Sequence, residues 1–339
     1  MKTPIMMMLS VFAIVLNSSS HAISNCNSDV WMWDLFKKSF ISLDGRVIDN
    51  ANRRISHSEG QGYGMLMAEY YSDSRTFQRL WRWTRLNLQR DEDPLFSWKW
   101  QPKRPHIPDH NNASDGDLLI AWALHRASEK WPSKGYDKAA RSIVFALQAS
   151  HVKLLNGETV LLPGTVGFSF NNRTILNPSY WVYPAMDVFS SYSNQWALLS
   201  KSGLSILNHN LYGRDGLTPD WIEYANRHWR PASDFPPHFS YSSYRIPLYV
   251  VWGKKSHQIN DNYVKWLKTK NVAWTNVTSG EQAFYPPPEG ARAVAQLVSL
   301  AKGDRIKGEG ISFVPKGKDY YSDSLVLLSH MAFNEGICE

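Results

Sequence analysis

Helical periodicity runs through this chain from end to end, and stretches that are apolar almost all round alternate with stretches that are apolar on one face only. Leu118-Leu-Ile-Ala-Trp-Ala-Leu124 and Met65-Leu-Met-Ala68 are of the first kind and need cover on both sides. Arg75 to Gln89 mixes polar and apolar faces and suits an outer layer. The spacing predicts helices over 29–42, 59–71, 75–89, 115–130, 135–150, 179–188, 192–208, 242–253, 257–269, 288–301 and 319–334. Nearly twelve helices in alternating inner and outer positions describe a double ring. A plain α-bundle is the alternative, and no repeated motif of roughly 30 to 45 residues supports a solenoid. The connections are long and rich in Pro, Asn and Gly, as in Gln101 to Asn112, Thr165 to Asn177 and His209 to Pro237. Binding residues collect on such connections.

Residues 1–22 read as an export signal. Lys2 gives the positive start, Ile5 to Leu16 the apolar stretch and Ser20-His21-Ala22 the small-residue cleavage site. Residues 23–339 contain no low-complexity linker or charge block and read as one domain. The leader's apolar stretch is too short to span a bilayer and no later run approaches about 20 residues. The expectation is therefore a secreted or periplasmic protein without a membrane anchor, and a monomer. The only cysteines, Cys26 and Cys338, lie near the two ends, and an oxidising compartment would let them pair. Without a clustered His set they make neither a zinc site nor a redox motif, and no metal or nucleotide cofactor has a motif here.

The net charge of +7 is scattered and contains no long Lys/Arg run, which fits a solvated surface and not a nucleic-acid interface. More informative are 15 Trp and 16 Tyr. Planar side chains in that number suit a groove that stacks sugar rings, with burial in the core as the other reading.

Two polar clusters stand directly before apolar helices: Ser56-His-Ser-Glu59-Gly-Gln-Gly-Tyr-Gly-Met65 and Asn111-Asn-Ala-Ser-Asp115-Gly-Asp117-Leu-Leu-Ile120. Glycosidic hydrolysis needs a carboxylic acid to protonate the leaving oxygen and a carboxylate on the opposite side, so acids at helix mouths are candidates. Ser56 and Glu59 also fit a capping box, and Asp115 and Asp117 fit the positive end of a helix dipole. Gly60, Gly62 and Gly64 favour the first reading, because each lowers helix stability by roughly 1 kcal/mol relative to Ala. Such a cost implies close approach of a ligand or a neighbouring backbone.

Ser58-Glu-Gly-Gln-Gly-Tyr-Gly-Met65 and Ala113-Ser-Asp-Gly-Asp-Leu-Leu-Ile-Ala-Trp122 resemble the two signature segments of glycoside hydrolase family 8. Leu95-Phe-Ser-Trp98, Leu176-Asn-Pro-Ser-Tyr180, Pro219-Asp-Trp221, Arg245-Ile-Pro-Leu-Tyr249 and Tyr320-Tyr-Ser-Asp323 carry the likeness along nearly the whole chain. The resemblance implies an all-α (α/α)6 barrel and an inverting endo-β-1,4-glucanase acting on cellulose or a related β-glucan. It implies Glu59 as general acid and Asp115 as the aspartate that positions the reacting sugar. Trp98, Asp117, Tyr180, Trp221, Tyr241, Arg245 and Tyr320 would bind substrate. Within such a family a chitosanase, xylanase or mixed-linkage glucanase is the alternative, and a non-catalytic glucan-binding protein is another.

One departure bears on mechanism. Members of this family commonly carry Ser-Tyr-Asp-Ala-x-Arg with the Asp as general base, whereas this chain has Ser240-Tyr-Ser242-Ser-Tyr-Arg245. A serine hydroxyl cannot take a proton from water at neutral pH without a base of its own. Either another carboxylate serves, with Asp115, Asp117, Asp220, Asp234 and Asp323 as candidates, or activity is low.

Overall fold

The structure is a computed structural model that describes residues 29–132, 134–303 and 310–338. Among them eleven α-helices carry the fold: α1 (Val30–Phe40), α2 (Ser58–Tyr70), α3 (Ser74–Asn87), α4 (Ser114–Lys130), α5 (Lys134–Ser150), α6 (Tyr183–Phe189), α7 (Asn194–His209), α8 (Arg245–Trp252), α9 (Gln258–Lys270), α10 (Glu289–Ala301) and α11 (Tyr320–Gly336). They follow the predicted spans closely except where α6 and α8 begin. Pro184 has no N–H to give to the preceding turn, so the segment predicted from 179 makes one 3-10 turn (Pro178–Tyr180) and restarts as α6. Before α8, the Ser240 and Ser243 N–H groups go to the Asp220 carboxylate and not to helical carbonyls, which delays the helix to Arg245.

Burial sorts the helices into two layers. Every residue of α8 is buried, as are Ser114 to Leu124 of α4 and Gly60 to Glu69 of α2. These helices, with α6 and α11, contact one another in a closed circuit α2, α4, α6, α8, α11 and back to α2. On them pack their sequence neighbours α3, α5, α7 and α9, whose outer faces are polar, while α10 packs on α8, α9 and α11. This is the (α/α)6 barrel that the alternation of apolar and amphipathic stretches predicts. Some of the aromatic excess is core, since Trp33, Trp181, Trp196 and Trp266 are fully enclosed. Each contributes roughly 2–3 kcal/mol through removal of apolar surface from water.

The glycines of the first polar cluster serve helix packing. A Cβ on Gly62 would lie 2.6 Å from Leu119 Cβ, and one on Gly116 only 2.7 Å from the Glu59 nitrogen. Glycine at these two positions lets α2 and α4 touch backbone to backbone at their N-terminal ends. Of the three glycines in the first cluster, Gly62 meets a neighbouring backbone, whereas Gly60 lies against the Tyr320 and His57 side chains and Gly64 against those of Val47 and Leu80.

Periodicity reads the long connections only as loops, yet they hold short strands. Arg173–Leu176, Ile222–Ala225 and His228–Pro231 form a three-stranded antiparallel sheet, and Val152–Leu155 pairs with Glu158–Leu161. Four-residue strands are too short to give a period-two signal. No helix among the described residues is long and apolar enough to cross a membrane. The expected leader and Cys26, the proposed partner of Cys338, lie outside the described residues.

Candidate active site

The N-termini of α2, α4 and α8 meet at one mouth of the barrel. Glu59 stands in the first turn of α2, Asp115 in that of α4, and Arg245 opens α8. Arg245 Nη1 donates to Glu59 Oε1 and, at 2.9 Å, to Asp115 Oδ2, while its Nη2 donates to Ser179 Oγ at 2.9 Å. Tyr63 lies one helical turn after Glu59 and donates to Oε1 at 2.8 Å; Tyr249 lies one turn after Arg245, and its hydroxyl is 2.9 Å from that of Tyr63. The capping reading of Glu59 falls, because the cap of α2 is His57, whose Nδ1 accepts the Gly60 N–H at 3.0 Å. Ser56 instead donates to the Val47 carbonyl.

Two carboxylates share one guanidinium here. Burial, and then the charge of Glu59, push the Asp115 carboxyl up to about 6 against the pull of Arg245. Burial lowers the His57 pKa, but Asp49 and Glu59 outweigh it and raise the value. Charging His57 would nevertheless break the cap, since Nδ1 cannot both carry a proton and accept one. Glu59 is the open member of the pair, with 20% of its side chain exposed against 3% for Asp115. Glu59 is therefore the member of the pair that a molecule at the mouth can reach.

Aromatic rings lead away from Arg245 in two files. The Tyr180 ring lies 5.8 Å from its guanidinium, Trp221 stands edge-on to Tyr180 at 6.0 Å, and Phe235 and Phe168 lie parallel to Trp221 at 4.4 and 5.7 Å. In the second file Tyr321 donates to the Tyr241 carbonyl, their rings are 5.5 Å apart, and Tyr241 is 41% exposed. Trp98 sits at the lip, where its carbonyl accepts the Ser58 N–H at 3.1 Å and its Nε1 donates to Asp109 at 2.8 Å.

Two residues expected to bind substrate do not face the cleft. Asp117 is sealed and accepts from the Phe96 N–H and Asn112 Nδ2 at 2.9 and 2.7 Å, so it ties the 96–112 connection to α4. Tyr320 is 1% exposed, with its ring against Phe36, Phe40 and His57, and it floors the site. Its neighbour Tyr321 is the more exposed of the two and donates to the Tyr241 carbonyl. Sequence reasoning also passed over Tyr63, Tyr249, Ser179, His57, Phe168 and Phe235. The first two carry a signal in their four-residue spacing from Glu59 and Arg245.

The candidate bases separate clearly. Asp115 and Asp117 are enclosed, and Asp323 accepts the Lys316 and Gly317 N–H groups beneath a loop. Asp234 is held by both Nη atoms of Arg173 at 2.8 Å, which keeps its pKa low. Asp220 alone of the five is hydrogen-bonded to the Ser240–Ser243 stretch.

A partly exposed acid at the mouth of a helical barrel, beside half-buried aromatic rings, suits a glycoside hydrolase. The chain belongs to the glycosyl hydrolases family 8, whose model matches residues 1–335. It is 37% identical to an endoglucanase of Cellulomonas uda over 78% of this chain and 76% of that protein. It is also 36% identical to a probable endoglucanase of Novacetimonas hansenii over 88% and 89%. Among solved structures it resembles the family 8 endoglucanase Cel10 of Klebsiella pneumoniae, with TM-score 0.83, 35% identity and coverage of 90% of this chain and 99% of that one. The endo-β-1,4-glucanase CMCax of Acetobacter xylinum is similar at TM-score 0.82, with 34% identity over 90% and 98%.

Proposed function

We propose that this chain is an endo-β-1,4-glucanase that cuts internal bonds of cellulose or a soluble glucan with inversion at the anomeric carbon. The observation that carries the reading is the Arg245-bridged Glu59–Asp115 pair, of which Glu59 opens to the cleft. Glu59 gives its proton to the bridging oxygen as the bond to the anomeric carbon breaks, and water adds to that carbon from the opposite face. Arg245 and Tyr63 stabilise the Glu59 carboxylate that forms as the proton leaves, and Asp115 supports the positive charge on the sugar ring. The two aromatic files leading from Arg245 suit a chain that lies across the site and is cut internally. The endoglucanase names of the relatives support the choice of β-1,4-glucan over chitosan or xylan.

Reducing-end release from carboxymethylcellulose tests this, with the anomer of the first product followed by NMR. Release that disappears in Glu59→Gln, with the inverted anomer formed first, is the expected result. Ser242 at the usual base position favours one second reading, a glucan-binding protein without turnover; binding of cellohexaose with no release of ends would establish it. Export from the cytoplasm belongs to the same proposal and rests on the pattern Lys2, Ile5 to Leu16 and Ser20-His21-Ala22. Cell fractionation and the N-terminal sequence of the mature protein test it, and sedimentation tests the proposed monomer.

A further inference from the structure

We infer that Asp220, reached through the Ser240 hydroxyl, is the proton acceptor for the attacking water in place of the missing aspartate at 242. This rests on the hydrolytic reading above. The Ser240 Oγ donates to Asp220 Oδ2, and on the other oxygen Asp220 Oδ1 meets the Ser243 N–H at 2.9 Å, the Ser240 N–H at 3.2 Å and Ser243 Oγ at 2.7 Å. The carboxylate thus grips both sides of Ser242, the position from which the family's base is missing. It also lies one residue before Trp221 in the first aromatic file.

The contacts leave room for a proton. Ser243 Oγ lies 2.7 Å from Asp220 Oδ1 and 3.0 Å from the Thr218 carbonyl, two acceptors for a single hydroxyl hydrogen. Oδ2, by contrast, carries Ser240 Oγ as its hydrogen-bond partner among the described residues, so a proton delivered there displaces no other donor and can be given back to Ser240 Oγ. Asp220 and Ser240 both keep partial exposure, whereas Asp115 and Asp117 do not. Burial raises the Asp220 pKa, which strengthens it as a base.

The step balances. Water oxygen bonds to the anomeric carbon as that carbon releases the bridging oxygen, which takes the Glu59 proton. One water proton passes to Ser240 Oγ while the Ser240 proton passes to Asp220 Oδ2.

The test uses the full chain on cellohexaose, with kcat, binding measured by calorimetry, and azide as an external nucleophile. Asp220→Asn is expected to lower kcat by about 10²- to 10⁴-fold with affinity within threefold of the parent, and Ser240→Ala by at least about tenfold. Ser242→Ala stays within about threefold of the parent. Azide should restore turnover to Asp220→Ala as the inverted glycosyl azide, a product that repair of a merely structural defect would not give. Asp220→Asn above a tenth of the parental kcat, or Asp220→Ala that yields no glycosyl azide, overturns the assignment, and a fully active Ser240→Ala overturns the route. Lack of turnover in the parent, or full activity in Glu59→Gln, defeats the hydrolytic reading itself and the Asp220 role with it.

Discussion

The two ends of the barrel carry near copies of one motif. At the mouth, Arg245 joins Glu59 of α2 to Asp115 of α4. At the floor, Arg126 of α4 joins Glu69 of α2 to Glu335 of α11, with Nε donating to Glu69 at 2.5 Å and both Nη atoms to Glu335 at 2.6 and 3.1 Å. The floor has a second cation, Lys130, whose Nζ lies 3.3 Å from Glu69 Oε1, and Trp252 Nε1 donates to Glu335 at 2.9 Å. The floor even opens onto a hollow of about 590 Å³, yet its clasped carboxylates Glu69 and Glu335 have two fixed cations in Arg126 and Lys130, while the exposed Glu129 lies 3.5 Å from His125. At the mouth two carboxylates face one fixed cation, and His57 spends its lone pair on the Gly60 N–H. That charge deficit, with burial, raises the Asp115 carboxyl and separates this end of the barrel from the structural clasp at the other.

Glu59 and Glu69 stand at opposite ends of the same helix, so one substitution made at each end breaks or sharpens this contrast. Glu59→Gln removes the open carboxyl and is expected to lower kcat by about 10²- to 10⁴-fold while the melting temperature changes little, since Arg245 keeps Asp115. Glu69→Gln should do the reverse. It leaves Arg126 and Lys130 short of a buried anion and costs about 2–3 kcal/mol of stability, read by urea unfolding, with kcat unchanged. If Glu69→Gln slowed turnover as much as Glu59→Gln, or Glu59→Gln unfolded the protein, charge matching would not be what distinguishes the two ends.

Most of the fold was legible because its signal is periodic and long. An inner helix such as α4 is apolar all round from Leu118 to Leu124 within a longer buried stretch, and a double ring covers several such helices simply. Glu59, Asp115 and Arg245 were legible because each opens a helix, where sequence marks position well. Asp117 and Tyr320 were misjudged because one residue of shift rotates a helical side chain by about 100°. That is enough to send Asp117 under the 96–112 connection and to bury Tyr320 while Tyr321 keeps some exposure. Phe168 and Phe235 were illegible for another reason: they lie on connections whose path is set by a sheet of four-residue strands that leaves no pattern in the chain.

A third prediction concerns pH. Burial pushes the Asp117 carboxyl up to about 8 against its hydrogen bonds from Asn112 and Phe96. A carboxyl whose folded pKa lies above its unfolded value of about 3.9 favours the folded state fully below that value, and the contribution is lost as pH rises through 8. Stability carried by this group should therefore fall between pH 4 and 8. Asp117→Asn, which cannot ionise, should show a shallower decline in melting temperature across that window. Equal slopes in the two proteins would mean that the 96–112 connection opens to solvate Asp117, and that the strain of unmatched charge is confined to Glu59 and Asp115.

The smallest effect is expected from Tyr63→Phe. Its hydroxyl donates to Glu59 Oε1 and meets that of Tyr249, so its loss takes one donor from the carboxylate and leaves Tyr249 without its partner. A hydrogen bond to a charged acceptor contributes about 1.5–3 kcal/mol, but Arg245 remains on the same oxygen and can compensate, so about 1 kcal/mol and a roughly fivefold loss of kcat are expected. The loss should appear in kcat and not in KM, because the bond strengthens only as Glu59 gives up its proton and becomes an anion. A rise in KM at constant kcat would instead mean that Tyr63 holds the sugar and that Arg245 alone supports the departing proton.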